Sequence, residues 1–539
     1  MNKIQIPNGS LAEVATYSDQ IVSQYRNNPL IEALPEIKSR EVVIQSVASY
    51  PCFDPSERNT DNHFRFHMIQ QLQNYFQPLP IHIDLEARIS RLIRQGYIAR
   101  NPLSPMYAMQ MVQGHSDIKK AQITQSIYDS PSGLTIIGVS GVGKSSAVKR
   151  ILSMIPQVIC HSDYKGNQLS AYQINYLRLE CPPDGSIRGL INHFFAEIDQ
   201  LLGTDHLNRF GKNGKLSSAS LISIVAQIAR ACNLGILCVD EIQNLSLAKS
   251  GGAEKMLSFF VSLSNSIGLP IIQIGTPRAM SLFSDLRIAR RGSGQGDLVW
   301  LPMKKEEQSW KIFLDGMWDY QWVRNPTALS PELEDAMYEA SCGITDIAVK
   351  IFLMSQIKAI TSGTEELTPR IINDVAKDNL KLVQPMLDAL RSGNAVKMGM
   401  YGDINTLPIE GFVVAEQSKL ELGNMLKNFQ NVHQEQAMNR ERMKQDAVVR
   451  LALLGIDDKE AHELIKRIFE EKPHLQSVKE IVQEVYKCHI GATEHSLPTS
   501  AKEVDKNDLR IVVEEGKENG LSAHQNLSNA GIIVTDFEV

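Results

Sequence analysis

The sequence predicts an α/β protein: a parallel sheet with flanking helices, followed by an all-helical lid and bracketed by N- and C-terminal extensions. Three observations carry that prediction. The stretch 134–146, LTIIGVSGVGKSS, places a short β-rich run before Gly138, Gly143, Lys144 and Ser145 in the spacing G-x-x-x-x-G-K-[ST]. From about Gly133 to Met303, strand-like and helix-like segments alternate, as parallel strands joined by crossover helices require. Inside that region GILCVDE, residues 235–241, ends an apolar run on two adjacent carboxylates.

The glycine-rich stretch is a P-loop. Its residues Gly138, Val139, Ser140, Gly141, Val142, Gly143, Lys144, Ser145 and Ser146 offer backbone N–H groups at close range, an ammonium for the β and γ phosphates and a hydroxyl for Mg²⁺. A helix beginning at Ser145 turns its positive end toward the anion. These residues imply ATP and Mg²⁺ as ligands, with Ser145 and Asp240 on the metal. Asp240 and Glu241 either cap the strand and start a loop or, as the expected reading has it, Asp240 holds the metal's hydration shell and Glu241 orients and deprotonates the attacking water. A Glu in that position points to hydrolysis rather than transfer to an acceptor.

At 539 residues the chain is too long for one core. Its texture divides it into an N-terminal extension (1–125), a core (126–303), a helical lid (304–393) and a C-terminal helical region with a tail (394–539). Hydrophobic residues make up 43% and charged residues 22%, the balance of a folded soluble protein. A net charge of -6 gives no global basic footprint, so any nucleic-acid surface is local or assembled from several subunits. Seven cysteines without a C-x-x-C pair suggest neither zinc nor disulfides. The absence of a signal sequence or a membrane-length apolar run leads us to expect a cytoplasmic protein.

Taken in order, residues 1–70 are polar and broken in pattern and read as an appended, partly flexible region. An amphipathic helix follows, with Leu85, Ile89, Leu92 and Ile93 on one side and its end expected at Gly96. Arg88, Arg91 and Arg94 lie off that stripe, as a solvated face or as contacts to DNA or a neighbouring subunit. Within the core the expected elements after the P-loop helix are QINYLRLE, the helix 186–203, a polar turn RFGKNGK, the helix 217–233 and the carboxylate-ended strand. A helix over 253–267, the strand LPIIQIGT and a last strand DLVWLP complete it. Thr276 closes the strand LPIIQIGT, either beside the γ-phosphate as a sensor or as a plain strand-end cap. Arg287, Arg290 and Arg291 precede a glycine-rich turn. In that region ring-forming ATPases present an arginine to a neighbour's γ-phosphate, and Arg290 or Arg291 is the candidate finger, the alternative being that all three are surface charges. Ser330 is the expected N-cap of a lid helix with Pro331 in its first turn. Where a lid sensor arginine would follow Gly343, Lys350 is the first cation. After Gly393 a small helical module over HELIKRIFEEKPHLQSVKEIVQEVYK is followed by a linker and a tail of short β-branched runs that suits a docking peptide.

Several stretches together narrow the comparison: YFQPL, GYIARNP, GVSGVGKS, CVDEIQNLS, KSGGAEKMLSFFV, IGTPRA, ARRGSG and PMLDALRSG. With them the chain resembles the TnsC family, AAA+ regulators of bacterial cut-and-paste transposons with a multi-subunit transposase. The resemblance spans roughly residues 70–395 and, weakly, the C-terminal tail. It implies a P-loop AAA+ core, ATP hydrolysis, and a homo-oligomeric ring or helix around double-stranded target DNA. It also implies a target-selection protein or complex as partner, and transposase and endonuclease subunits docked on the tail, with no membrane involved. Lys165, Arg209, Lys212 and Lys215, in two turns leaving the sheet, are then candidate DNA contacts, or ordinary solvated lysines and arginines. Two other readings stay open: a nucleotide-locked scaffold with little turnover, and a clamp-loader or initiator-like remodeller.

Overall fold

A computed structural model of the chain describes residues 3–120, 133–247, 252–279, 297–381, 383–391, 411–416, 441–452, 454, 456–471 and 477–491. They divide into two compact units, 1–422 and 423–539.

The first unit begins with strands β1 (Lys3–Gln5) and β2 (Leu11–Val14) and the helices α1 (Pro29–Glu32), α2 (Arg40–Val47), α3 (Asn62–Ile69), α4 (Pro80–Ile98) and α5 (Pro105–Lys120). Then come β3 (Leu134–Gly138), α6 (Lys144–Leu152), β4 (Val158–Tyr164), β5 (Asn167–Ile174), β6 (Tyr176–Glu180), α7 (Ile187–Leu202) and α8 (Ser218–Ala231). β7 (Ile236–Asp240), α9 (Gly252–Ile267), β8 (Ile271–Gly275) and β9 (Asp297–Trp300) complete the core. The main sheet has the order β6-β7-β8-β3-β9, and every pairing in it is parallel. Such a sheet is covered on both faces, which is why β3 and β8 are apolar-rich without alternation and buried at every residue. The order brings the C-terminal ends of β3, β7 and β8 side by side, so the P-loop, Asp240 and Thr276 emerge from one edge.

Three expectations need correction. QINYLRLE is not one strand: the chain leaves β5, passes through buried Asn175 and enters β6, which belongs to a different sheet. Asn175 fixes the crossing by donating from Nδ2 to Pro156 O at 2.7 Å. β5 itself pairs antiparallel with β4 in a second sheet of order β1-β2-β4-β5. Second, α4 runs through Gly96 to Ile98. That glycine serves close packing, since a Cβ there would lie 2.6 Å from Pro270 Cγ. Third, residues 3–70 pack into the unit. β2 lies parallel to β4, and Leu30, Ile31 and Ile69 are fully buried. The apolar residues responsible sit in elements of three to eight residues, too short to show a period.

The lid comprises α10 (Gln308–Trp318), α11 (Pro331–Ser341), α12 (Thr345–Ser362), α13 (Pro369–Asn379) and α14 (Gln384–Arg391). Ser330 caps α11 by accepting from Leu333 N, with Pro331 at its start. α12 is the lid's axis, buried along most of its length from Ile347 to Ile360. The N-terminal region reaches it: Arg65, with no exposed surface, is bidentate to Glu365, Nη1 to Oε2 at 2.7 Å and Nη2 to Oε1 at 2.6 Å. Arg94 is likewise a structural tie, its Nη1 and Nη2 donating to Ser90 Oγ and Pro35 O.

The second unit is a helical module, with helices at 441–452, Asp458–Glu471 and Val478–Gly491 closing around Ala447, Leu451, Ile465, Ile481 and Val485. The tail from Asp508 onward lies outside the described residues.

Candidate active site

A cavity of about 530 Å³ opens at the edge of the main sheet where the P-loop emerges. Ser140 to Ser146, Asp240, Glu241 and Thr276 all line it. Gly138 and Val139 form the floor of the loop, and their carbonyls accept from the buried Lys144 Nζ at 2.8 and 2.9 Å. Gly138 has no room for a side chain, because a Cβ would sit 2.3 Å from Trp300 O on β9. Gly143 takes φ +97°, which turns the chain into α6 and leaves the first N–H groups of that helix facing the cavity.

Asp240 ends β7, and its Oδ1 accepts from Glu241 N at 2.9 Å. Glu241 holds φ +56°, a left-handed conformation that costs a residue with a side chain on the order of 1 kcal/mol or more. Its carboxylate accepts from Gln243 Nε2. Gln243 is nearly buried, and its Oε1 accepts from Thr276 N at 3.1 Å. One amide therefore joins the carboxylate at the end of β7 to the end of β8. Sequence reasoning passed over Gln243; the signal was a polar residue inside the run DEIQNL, where burial demands partners on both its oxygen and its nitrogen.

Thr276 is 4% exposed, and its Oγ1 is buried without a hydrogen-bond partner among the described residues. Such a hydroxyl costs about 1–3 kcal/mol unless something supplies a partner, and an anionic oxygen in the adjoining cavity would do so. Above the P-loop, Gly141 O accepts twice from the lid, from Thr345 Oγ1 and from Asp346 N, both at 3.0 Å. Lys350 Nζ pairs with Asp346 Oδ2 at 2.6 Å, and both residues line the cavity.

The far wall comes from the N-terminal region: Tyr75, Phe76, Leu79, Ile81 and His82, with Trp300 and Phe313. None of these stood among the sequence-derived site residues, although YFQPL had drawn notice as a family signal. Tyr75 OH donates to Phe313 O at 3.0 Å, tying this wall to α10, and burial pushes its phenol far above the ordinary range. Burial holds the His82 imidazole down at about 4, so it is neutral near pH 7.

The candidate DNA contacts lie in two places. Lys165, at the β4–β5 turn, pairs with the buried Glu32 at 3.2 Å and lies over the Tyr164 ring. Arg209, Lys212 and Lys215 are exposed on the connection between α7 and α8. That connection is braced from beneath by Arg188, which donates to Gly211 O, Asn213 O and Leu216 O at 3.2, 2.6 and 3.4 Å. Asp199 braces its start by accepting from His206 N and Leu207 N. Arg290 and Arg291 lie outside the described residues.

Residues 128–283 match the family model described as an AAA domain. No curated protein matches the chain. Among solved structures, it is similar to a Walker-type ATPase of Pyrococcus abyssi, with 16% identity, 58% of this chain and 88% of that one covered, and a TM-score of 0.34. It is similar also to the Aeropyrum pernix ORC1 protein in complex with DNA, at 13% identity, 60% and 85% covered, TM-score 0.33. CDC6P from Pyrobaculum aerophilum gives 13% identity, 60% and 98% covered, and TM-score 0.33. The core is an AAA-type P-loop ATPase domain with a helical lid and further extensions. Among the described residues, no helix is long and apolar enough to cross a membrane.

Proposed function

We propose that the protein is an ATP-hydrolysing switch that assembles on target DNA and links target-site choice to transposase recruitment. The observation that carries the nucleotide half is the convergence, in one cavity, of Lys144, Ser145, Asp240, Glu241 and the unpartnered Thr276 hydroxyl. Lys144 exchanges the carbonyls of Gly138 and Val139 for the β and γ phosphates. Ser145 and Asp240 would hold Mg²⁺, which when bound offsets charge on the phosphates. Glu241 takes a proton from the attacking water, and Thr276 Oγ1 donates to a γ-phosphate oxygen. Arg290 or Arg291 of a neighbouring copy completes the site.

The DNA half rests on the resemblance to the TnsC family and on the exposed cations Arg209, Lys212 and Lys215, with Lys165 as a fourth candidate. Contacts of this kind go to phosphates and are independent of sequence. Residues 508–539 would dock the transposase's endonuclease subunit, and a target-selection protein or complex would direct the assembly.

The test is Glu241→Gln. ATP binding and ATP-dependent assembly on duplex DNA, seen by electron microscopy, are expected to persist while turnover falls by at least about 100-fold. A variant that no longer binds nucleotide would remove Glu241 from the role of base. One observation favours a second reading, a nucleotide-locked scaffold: Gln243 occupies the carboxylate that must act as base. Steady-state turnover with and without duplex DNA separates the two, since a scaffold turns over in neither case.

A further inference from the structure

The wall of the cavity opposite the lid contains a histidine whose protonation state and orientation are both fixed by its neighbours. His82 stands in the first turn of α4, and Leu79 N donates to its Nδ1 at 2.9 Å. Burial keeps the imidazole neutral near pH 7, with its pKa down at about 4. A neutral imidazole carries one proton, and with Nδ1 committed as an acceptor that proton is on Nε2. The ring is held between Phe76 at 4.7 Å and Trp300 at 5.4 Å, centroid to centroid. Both neighbours line the same cavity. His82 is 5% exposed and lines the cavity, and its Nε2 has no partner among the described residues and is not fully buried. An N–H donor of this kind is available to an acceptor on a molecule bound in the cavity.

The lining around the ring says which part of a ligand that acceptor belongs to. Trp300 pairs with Gly138 across β3 and β9, so His82 lies one side chain from the root of the P-loop. Around it Tyr75, Phe76, Leu79 and Ile81 provide an aromatic and aliphatic lining without a formal charge. Such a lining suits the flat face of a heterocycle and not a phosphate. We propose that His82 reads the base of the bound nucleotide, its Nε2–H donating to a ring nitrogen of a purine. This deepens the nucleotide-site reading above and rests on it.

The experiment measures binding of ATP and its 1-deaza, 3-deaza and 7-deaza analogues, each of which replaces one ring nitrogen by C–H. The full chain is used, with His82, His82→Phe and His82→Gln. On the native protein one analogue is expected to bind roughly 3- to 10-fold more weakly than ATP. In His82→Phe, which keeps an aromatic ring and lacks the donor, ATP is expected to weaken by a similar factor and the penalty for that analogue to vanish. His82→Gln can accept from Leu79 N and still offer an N–H, so it should restore part of the discrimination. A merely structural His82 would weaken all four nucleotides equally and leave their ratios unchanged, which would overturn the proposal. Equal binding of all four to the native protein would overturn it as well. Failure of ATP itself to bind the native protein would instead refute the nucleotide site.

Discussion

Replacing Arg65 by Ala isolates the tie between the N-terminal region and the lid. Arg65 is fully buried, and besides its two bonds to Glu365 it donates from Nη1 to Trp322 O at 3.0 Å and from Nη2 to Asn62 Oδ1. Removing one member of a buried pair costs about 3–5 kcal/mol, because the other charge stays behind desolvated. The Glu365 side chain keeps 12% exposure, so water recovers part of that, and we expect a loss of about 2–4 kcal/mol. Urea unfolding followed by tryptophan fluorescence suits the measurement. All four tryptophans, at 300, 310, 318 and 322, lie in this unit, and Trp322 adjoins the pair. A double-mutant cycle of Arg65→Ala with Glu365→Gln should return a coupling above about 1 kcal/mol. The pH dependence gives a second check. Burial acts to raise the Glu365 carboxyl, but the hydrogen bonds from Arg65 and Arg324 N and the two guanidinium charges outweigh it and hold the group below its ordinary value. A depressed acid contributes stability that is fully present above its unfolded pKa of about 4.3 and is lost as pH falls through the folded value. In Arg65→Ala burial raises the same carboxyl, so the difference between native and variant should be greatest near neutral pH and narrow as pH falls through the acid range. A loss under about 1 kcal/mol, or a difference constant through the acid range, would refute the reasoning.

Three further outcomes follow from the site and its surroundings. Thr276→Val removes a hydroxyl that has no partner among the described residues, so thermal stability should not fall, while ATP turnover drops roughly 10- to 100-fold; Thr276→Ser should retain most turnover. Gln243→Ala removes the amide's bonds to the Glu241 carboxylate and to Thr276 N, and a kcat change of at least about tenfold with little change in KM is expected; its direction, up or down, tells whether the amide restrains or positions the base. Changing Arg209, Lys212 and Lys215 together to Gln should lower the slope of log affinity for duplex DNA against log salt by up to about 3, at about 0.9 per phosphate contact. An unchanged slope would remove that connection from the candidate DNA contacts, and Lys165→Gln, measured separately, tests the fourth cation.

What was legible in the sequence, and what was not, divides along the range of the interactions. The three central strands of the main sheet, β3, β7 and β8, were readable because each is an apolar-rich run leading to a chemically marked residue: Gly138, Asp240, Thr276. Those marks are local, and the parallel order that gathers them follows from the crossover helices. The helix starts at Ser186, Ser217 and Ser330 were local as well, since each hydroxyl caps an N–H within its own first turn. By contrast, the second sheet joins β2 to β4 across more than a hundred residues of chain, and neither strand carries a period long enough to read.

The same division explains the incomplete reading of the site. Residues that touch phosphate chemistry announce themselves by type and spacing. The residues that hold them in place do not, because a glutamine such as Gln243 or a histidine such as His82 is ordinary in composition and becomes informative only when its partners are known. Gln243 gains meaning from two bonds, to Glu241 and Thr276, that close at the ends of neighbouring strands. His82 gains it from a tautomer fixed by Leu79 N and a ring held by Phe76 and Trp300. Gly141 behaves in the same way: its place in the P-loop was evident, but its carbonyl is also where Thr345 and Asp346 of the lid attach. A phosphate drawn toward the P-loop N–H groups thus acts on a peptide whose carbonyl is already bonded to α12. Arg65 carries the link from the lid onward to the segment preceding the Tyr75 to His82 wall. A nucleotide in this cavity would therefore touch elements bonded to the lid, through contacts that no local stretch of sequence encodes.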